Sequence, residues 1–138
     1  MNNTHTDLGL FTLRSALAGI FISHGYEKAT NMSNTLGFLS TLLHLPMWLA
    51  YLVTYGEIVL GVLMLLGIAL RPVGTGMIVI LVGTIYFFHG EKGFSDMNGG
   101  WEYPFILLSI AFTLTLIGGG SWTIQALRFS LPSTHSDS

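Results

Sequence analysis

Residues 46–90 read PMWLAYLVTYGEIVLGVLMLLGIALRPVGTGMIVILVGTIYFFHG, and this stretch decides the fold. Glu57 is the only charged residue before Arg71, and residues 72–88 carry no charge. An α-helix rises about 1.5 Å per residue and the hydrocarbon core of a bilayer is about 30 Å thick, so about 20 apolar residues cross it. The stretch therefore predicts two consecutive membrane-spanning helices, joined by a tight turn at Arg71-Pro72.

The composition of the whole chain agrees with a membrane protein. Its 138 residues allow one domain, residues 1–138; 51% of them are hydrophobic and only 9% are charged. A soluble domain carries about a quarter charged residues, because its surface faces water. The net charge of −2 without a basic stripe gives no sign of nucleic-acid binding. We therefore expect a protein whose principal partner is the lipid bilayer, in a multi-pass arrangement in the cell (inner) membrane.

Two further apolar stretches complete an all-α bundle of four transmembrane helices. Trp48, Trp101 and Trp122 fall at predicted helix ends, where an amphipathic ring suits the headgroup level. Thr6 and Asp7 are suitable N-caps for the first helix, and Gly118-Gly119-Gly120 stops the last one. The predicted spans are residues 8–28, 46–70, 72–90 and 101–117, followed by a C-terminal tail over 121–138.

The connections define two sides of the membrane. The loop side holds residues 29–45 and 91–100, and the termini side holds both chain ends. Leucines at helical spacing predict a short amphipathic surface helix within 29–45, the alternative being a structured loop. Arg71 and Arg128 lie on the termini side, so the positive-inside rule predicts cytoplasmic N- and C-termini. The first apolar stretch lacks a basic n-region and a cleavage pattern, so we expect a retained helix.

The chain lacks the residues of most redox centres. It has no cysteine, which excludes a disulfide, a thiolate metal site and a dithiol relay through this chain. No His-x-x-x-His or Glu-x-x-His spacing suggests a metal site, and no haem, flavin or iron–sulfur signature occurs. Electrons in any redox reaction would therefore come from a partner chain.

Two charged residues lie deepest within the predicted spans, where a charge costs a few kcal/mol unless it is paired. Arg14 lies about 9 Å along the first helix from the termini side, and Glu57 about 15 Å along the second from the loop side. We therefore predict an Arg14–Glu57 ion pair inside the bundle. Such a pair is either a structural staple or part of a catalytic or ligand-binding site, and the sequence does not decide between them.

Helical spacing places the polar residues of three helices on single faces, which predicts an inward polar seam. Small residues on the opposite side of helix one predict a close-packing ridge. The inner faces are Arg14, Leu17, Phe21, His24 and Lys28 on helix one; Ala50, Thr54, Glu57, Gly61 and Met64 on helix two; and Glu102, Ser109 and Thr113 on helix four, and the ridge is Ser15, Gly19 and Ser23.

A second polar cluster gathers on the loop side. Histidine, carboxylate and aromatic groups together could bind a quinone head group and pass protons, although each histidine could instead make a plain interfacial hydrogen bond. The candidate proton acceptors are Glu57 and Glu102, and the candidate quinone-binding residues are Arg14, His24, Lys28, His89, Trp101 and Tyr103.

Short segments in a fixed order, over roughly Leu10 to Gln125, make the chain resemble the DoxX family of small four-helix membrane proteins. The segments are Leu13-Arg14, His24-Gly25-Tyr26-Glu27-Lys28, Tyr55-Gly56-Glu57, Leu66-Gly67, Leu70-Arg71-Pro72, Asn98-Gly99-Gly100-Trp101-Glu102-Tyr103-Pro104 and Gly118-Gly119-Gly120 with Trp122. The resemblance implies four transmembrane helices and a link to quinone-coupled oxidation, since one relative forms the small subunits of a thiosulfate:quinone oxidoreductase. Arg14, Glu57 and Glu102 match polar positions of the family, so the resemblance supports a polar site inside the bundle.

Three functions remain open from the sequence, and it does not establish that the chain is an enzyme. The first is a quinone-reactive subunit of a membrane oxidoreductase system. The second is a non-catalytic accessory or scaffold subunit of a larger complex, with a protein partner or a second copy in the membrane. The third, a transporter or channel, is least favoured, because the chain has few spans and no internal repeat.

Overall fold

The computed structural model describes residues 4–42 and 44–130, which contain helices and no strand. Four long helices are joined by short helical segments, and a short helix follows the last of them. The α-helices are α1 (Thr4–Thr30), α2 (Met32–Gly37), α3 (Met47–Leu66), α4 (Leu70–Thr84), α5 (Glu102–Ile117) and α6 (Ile124–Ser130). Residues 131–138 of the predicted tail and Leu43 of the predicted surface helix lie outside the described residues.

The long helices form a bundle in which α1 packs on α3, α3 on α4, and α4 on α5. Its centre is a continuous apolar core, while the outer faces are also apolar. The core residues are Leu17, Ala18, Phe21, Met64, Leu70, Val73, Met77, Leu81, Leu107, Ala111 and Leu114. Residues such as Val79, Phe112 and Leu116 are exposed at the periphery, as expected for helices whose outer solvent is lipid.

Three helical stretches are long and apolar enough to cross a membrane: Thr4–Thr30, Met47–Leu66 and Leu70–Lys92. The third begins with α4 and continues through a π-helical turn (Ile85–His89) and a 3₁₀ turn (Gly90–Lys92). Helix α5 has 16 residues and ends at Ile117, as predicted, with Gly118 following at φ 88°. These membrane-type helices imply a lipid environment for the chain.

The turn between α3 and α4 lies earlier than predicted. Helix α3 ends at Leu66 and α4 begins at Leu70, so Arg71-Pro72 lies in the first turn of α4 rather than in the connection. Gly67 adopts φ 71°, its amide donates to the Met64 carbonyl oxygen and the Ile68 amide to that of Leu63. This pattern ends a helix through a left-handed glycine. The sequence signal was therefore Gly67, and the proline merely occupies an allowed first-turn position.

The most extensive helix contact is between α1 and α3, and it uses glycines other than the predicted ridge. A Cβ on Gly25 would lie 2.6 Å from Ile58 Cγ1, and one on Gly61 would lie 2.7 Å from Ile22 Cγ1. Each glycine thus admits an isoleucine from the other helix. A Cβ added to Gly19 would meet no atom of the described residues within 4 Å, so the predicted ridge of Ser15, Gly19 and Ser23 makes no such contact there within this chain and stays a prediction for contact with a neighbouring helix.

The buried faces bear out some of the predicted seam and correct the rest. The buried residues of α3 are Ala50, Thr54, Glu57, Gly61 and Met64, as predicted. On α5 the buried residues are instead Pro104, Leu107, Ala111 and Leu114, so the predicted polar face of helix four is wrong. Ser109 donates to the Phe105 carbonyl oxygen and Thr113 to that of Ser109, both at 2.9 Å. A hydroxyl bonded to its own helix needs no partner inside the bundle.

Candidate functional site

On the termini side, Arg14 holds the segment that links α5 to α6. Its side chain is buried, with 2% of the residue exposed. Nη1 donates to the Gly119 carbonyl oxygen at 3.0 Å and Nη2 donates to that of Trp122 at 2.6 Å. The guanidinium also lies over the Phe11 ring, 5.4 Å from its centroid. The guanidinium charge is thus stabilised by backbone carbonyl oxygens of the segment that follows the end of α5.

Asp7 fastens the same segment. Its Oδ1 accepts from the Ser121 amide at 2.8 Å, and its Oδ2 accepts from the Ser121 hydroxyl at 2.5 Å. Helix α1 begins at Thr4, so the prediction that Thr6 and Asp7 cap a helix starting at Leu8 is wrong. The carboxylate serves a residue 114 positions away instead of its own helix. Asp7, Arg14, Ser121 and Trp122 are called the termini-side cluster below.

The predicted Arg14–Glu57 ion pair is wrong. Glu57 lies at the level of Gly25, because Thr54 and Ile58 pack on that glycine. Arg14 is eleven residues before Gly25, or about 16 Å along α1, which is farther than an arginine side chain reaches. The carbonyl groups of the α5–α6 segment are within reach of Arg14 and accept its hydrogen bonds instead.

Glu57 pairs with Lys28, near the end of α1. Lys28 Nζ lies 2.5 Å from Glu57 Oε1, and the side chains are 33% and 6% exposed respectively. The second carboxylate oxygen, Oε2, is buried and has no hydrogen-bond partner among the described residues. Thr54, one turn before Glu57 on the same face, also has a buried hydroxyl without a partner. The pair is therefore only half satisfied.

A cavity of about 180 Å³ lies beside this ion pair and is called the loop-side cavity. It gathers five of the eight predicted site residues from four helical stretches. Its lining residues are Ile20, Phe21, His24, Lys28, Glu57, Ile80, Leu81, Thr84, His89, Tyr103, Pro104 and Leu107. Most of the wall is apolar and the few polar groups converge, which is the usual character of a small-molecule site.

His89 enters the cavity because of the π-helical turn at the end of α4. Buried or lining positions on α4 recur at Met77, Leu81 and Thr84, and an unbroken α-helix would next bring Phe88 to this face. The π turn spans Ile85–His89 and adds one residue to that turn, so His89 takes the position. Single π turns of this kind are frequent at functional sites.

The hydrogen bond of His89 defines what its ring offers to the cavity. Nδ1 lies 2.6 Å from the Gly99 carbonyl oxygen. Because a carbonyl oxygen can only accept, Nδ1 carries the proton and donates it. In the neutral ring, Nε2 is then the acceptor. The loop over residues 93–100 thus orients the imidazole.

Three predicted site residues do not line the cavity. Arg14 belongs to the termini-side cluster. Trp101 packs edge-to-face with Phe94 and Phe105, at centroid distances of 4.7 and 5.7 Å. Glu102 Oε2 accepts from the Asp96 amide at 3.2 Å, which shapes the loop before α5. These two positions support the wall that holds Tyr103 and Pro104 without facing the cavity.

Sequence reasoning did not select Thr84 as a site residue. Thr84 lines the cavity, and its hydroxyl donates to the Ile80 carbonyl oxygen at 2.9 Å. Its position one turn after Leu81 and Ile80 places it on the inner face, so helical periodicity could have identified it. The Lys28–Glu57 ion pair depends on how far α1 is displaced along α3. The sequence pattern of a single helix does not predict that displacement.

Comparisons with known proteins identify the family of the chain. The DoxX family model matches residues 9–90. The protein named "Putative oxidoreductase CatD" of Bacillus subtilis (strain 168) is 32% identical over 113 residues, which cover 82% of this chain and 83% of that protein. No solved structure matches the chain. The matched region contains α1, α3 and α4 and hence Lys28, Glu57 and His89, and this chain belongs to the DoxX family.

Proposed function

We propose that the chain is a quinone-reactive membrane subunit of an oxidoreductase system, and that the loop-side cavity receives the quinone head group. The observation that carries this proposal is the half-satisfied Lys28–Glu57 pair on an apolar cavity, with the His89 imidazole on the same wall. The similarity to a protein named as an oxidoreductase supports the redox link. Arg14, Trp101 and Glu102 are not part of the proposed site.

The size and chemistry of the cavity suit one substituted ring. A cavity of about 150 Å³ lined by apolar side chains accepts a benzene molecule, and this one measures about 180 Å³. Leu81, Leu107 and Phe21 provide apolar walls for the ring faces. Lys28 offers N–H donors to a ring oxygen. A hydrophobic tail attached to the ring would extend towards the lipid that surrounds the bundle.

Proton exchange is the chemistry that this chain's own residues would supply. Reduction of a bound quinone to the hydroquinone takes up two electrons and two protons, and oxidation releases them. Glu57 and His89 are groups on the cavity that can exchange a proton with a bound ring. The sequence has no haem, flavin or iron–sulfur signature, so electrons would pass to or from a partner protein.

We further propose that α5 is a fourth transmembrane helix, with both termini in the cytoplasm. Helix α5 packs along α4, and its outer residues Phe112, Leu116 and Ile117 are exposed and apolar. Because the chain has no cysteine, single introduced cysteines test the orientation. In intact cells an impermeant maleimide should label Met97→Cys, on the loop side, and leave Leu127→Cys unlabelled. The opposite pattern would reverse the orientation.

Binding of short-chain ubiquinone and menaquinone analogues tests the proposed site. The purified protein in detergent should bind one of them saturably by isothermal titration calorimetry. Glu57→Gln should weaken binding of the reduced form of that analogue at least tenfold, since the change alters the buried acceptor and its partner. The matched control is Glu102→Gln, a carboxylate on the same side of the membrane that lies outside the cavity, and it should leave binding unchanged.

Absence of saturable binding in the folded wild-type protein would overturn the quinone site. An accessory or scaffold subunit would then be the better assignment. One observation favours that second candidate: the outward face of α1 at Gly19 has open space where a neighbouring helix could pack closely.

A further inference from the structure

We infer that the loop-side cavity binds the reduced, dihydroxy form of the ring in preference to the oxidised, diketo form. The inference rests on the proposed function and specifies which redox state the site recognises. It follows from a count of the hydrogen-bond donors and acceptors that the cavity leaves unused.

The polar groups that line the cavity with unused capacity include two acceptors, one on the buried Glu57 and one on the partly buried His89. Glu57 Oε2 has no donor among the described residues, and the carboxylate is 6% exposed. His89 Nδ1 donates to Gly99, which leaves Nε2 as the acceptor of the neutral ring. A ring bearing two hydroxyl groups can donate to both atoms, whereas the carbonyl oxygens of a quinone can donate to neither. A quinone oxygen near Oε2 would instead face a negative charge.

The remaining polar groups of the cavity do not reverse this balance. The Thr84 hydroxyl already donates to the Ile80 carbonyl oxygen. His24 and Tyr103 are exposed at the rim, and each can donate or accept. Lys28 is the committed donor, but one of its N–H groups is used by Glu57 Oε1 and its side chain is 33% exposed, so headgroup or water oxygens can satisfy the others.

A buried acceptor without a donor is costly, and the cost is greater when the acceptor is charged. The dihydroxy ring removes this cost at Oε2 and forms a charge-assisted hydrogen bond there. Each such bond corresponds to roughly tenfold or more in affinity. The expected preference for the dihydroxy ring over the diketone is therefore about tenfold to a hundredfold.

A series of ring compounds with graded numbers of donors tests the inference. The probes are tetramethylhydroquinone, its monomethyl ether, its dimethyl ether and tetramethylquinone, titrated calorimetrically without oxygen into the protein in detergent. The fully substituted quinone avoids addition of lysine to the ring. The affinity should fall stepwise as hydroxyl groups are methylated, and the quinone should bind like the dimethyl ether or more weakly.

Two variants link the preference to its atoms. In His89→Asn the amide nitrogen can replace Nδ1 as the donor to Gly99, while the acceptor at Nε2 is lost. The affinity for the hydroquinone should fall about tenfold, and the affinity for the dimethyl ether should not change. Glu57→Gln should likewise remove most of the preference. Because Glu57→Gln can also destabilise the fold, the His89→Asn result carries the test if that protein does not accumulate.

The outcomes separate the inference from the proposed function. Equal binding of hydroquinone and quinone, or tighter binding of the quinone, would overturn the redox-state preference and leave the quinone site in place. No saturable binding of any of the four compounds or of the short-chain ubiquinone and menaquinone analogues would overturn both. A preference for the hydroquinone that persists in His89→Asn and Glu57→Gln would show that other groups recognise the hydroxyls, and would overturn the assignment to these two acceptors.

Discussion

The two polar regions of this bundle bury similar charges and treat them differently. In the termini-side cluster, Arg14 donates to two backbone carbonyl oxygens and Asp7 accepts from both the amide and the hydroxyl of Ser121. At the loop-side cavity, Glu57 has one partner, Lys28, and its second oxygen has none among the described residues. The first region joins distant segments of the chain, and the second borders the loop-side cavity.

This difference is a guide to interpreting intramembrane charges. Arginine in a span is a functional hypothesis by default, yet here its partners are main-chain atoms of a segment that lacks helical hydrogen bonds. Its Nε is buried without an acceptor among the described residues, but Arg14 does not line the loop-side cavity. A buried charge indicates a ligand site when it is only partly satisfied and an accessible volume adjoins it. Glu57 meets both conditions.

The largest effect is expected from Arg14→Ala. The change leaves the Gly119 and Trp122 carbonyl oxygens without donors and opens a cavity, so we expect a loss of about 3–5 kcal/mol in unfolding free energy. Thermal unfolding in detergent measures the loss. Arg14→Lys, which keeps the charge and one donor group, should lose less. Protein that remains folded should still bind the quinone analogue, and selective loss of binding in folded Arg14→Lys would place Arg14 in the site after all.

Substitutions at Lys28 and Glu57 should have non-additive effects on the free energy of unfolding. Lys28→Met leaves a buried carboxylate unpaired and should destabilise by about 2 kcal/mol, a modest figure because the ammonium group is one-third exposed. Lys28→Met combined with Glu57→Gln removes both charges. The free energy of unfolding of this double variant should lie within about 1 kcal/mol of the wild-type value. Ligand binding should nevertheless be lost. A stable double variant that still binds would mean that the pair is only structural.

Gly25→Ala tests whether the helix contact beneath the pair sets its geometry. The added Cβ would lie 2.6 Å from Ile58 Cγ1 and 2.9 Å from the Thr54 carbonyl oxygen, on either side of Glu57 in α3. We expect a loss of about 1–3 kcal/mol and weaker ligand binding, because α3 must move away from α1. Gly19→Ala is the matched control on the same helix, since nothing lies within 4 Å of that position. Equal effects of the two changes would contradict the close contact.

Helical periodicity was sufficient to predict the buried face of α3 from Ala50 to Met64, and the glycine run at 118–120 was sufficient to predict where α5 ends. Spacing and the clustering of polar residues on the loop side also selected five residues that line the loop-side cavity. Polar groups at one end of a bundle avoid lipid by turning towards its interior. These features depend on spacing along one helix, which the sequence contains directly.

The errors arose where two helices had to be aligned. The partner of Glu57 depends on the Gly25 and Gly61 contacts, which fix how far α1 is displaced along α3. His89 was selected and lines the cavity, but the turn that brings it there is a π turn, which adds a residue that a regular helix does not predict. Ser109 was assigned to an inner face because it is polar, although its hydroxyl bonds to its own helix. Local hydrogen bonding thus removed the reason to bury it.

The smallest effect comes from deleting one hydroxyl group in each of two environments. Ser109 Oγ donates to the Phe105 carbonyl oxygen within the same helix, and that oxygen keeps its backbone donor when the hydroxyl is removed. Ser109→Ala should therefore change the unfolding free energy by less than about 0.5 kcal/mol. Ser121→Ala removes the donor to Asp7 Oδ2 and should cost about 1 kcal/mol or more, because that hydrogen bond is charge-assisted and joins α1 to the segment after α5. Equal thermal shifts in the two variants would mean that Asp7 does not fasten this segment, and Arg14 would then hold it alone.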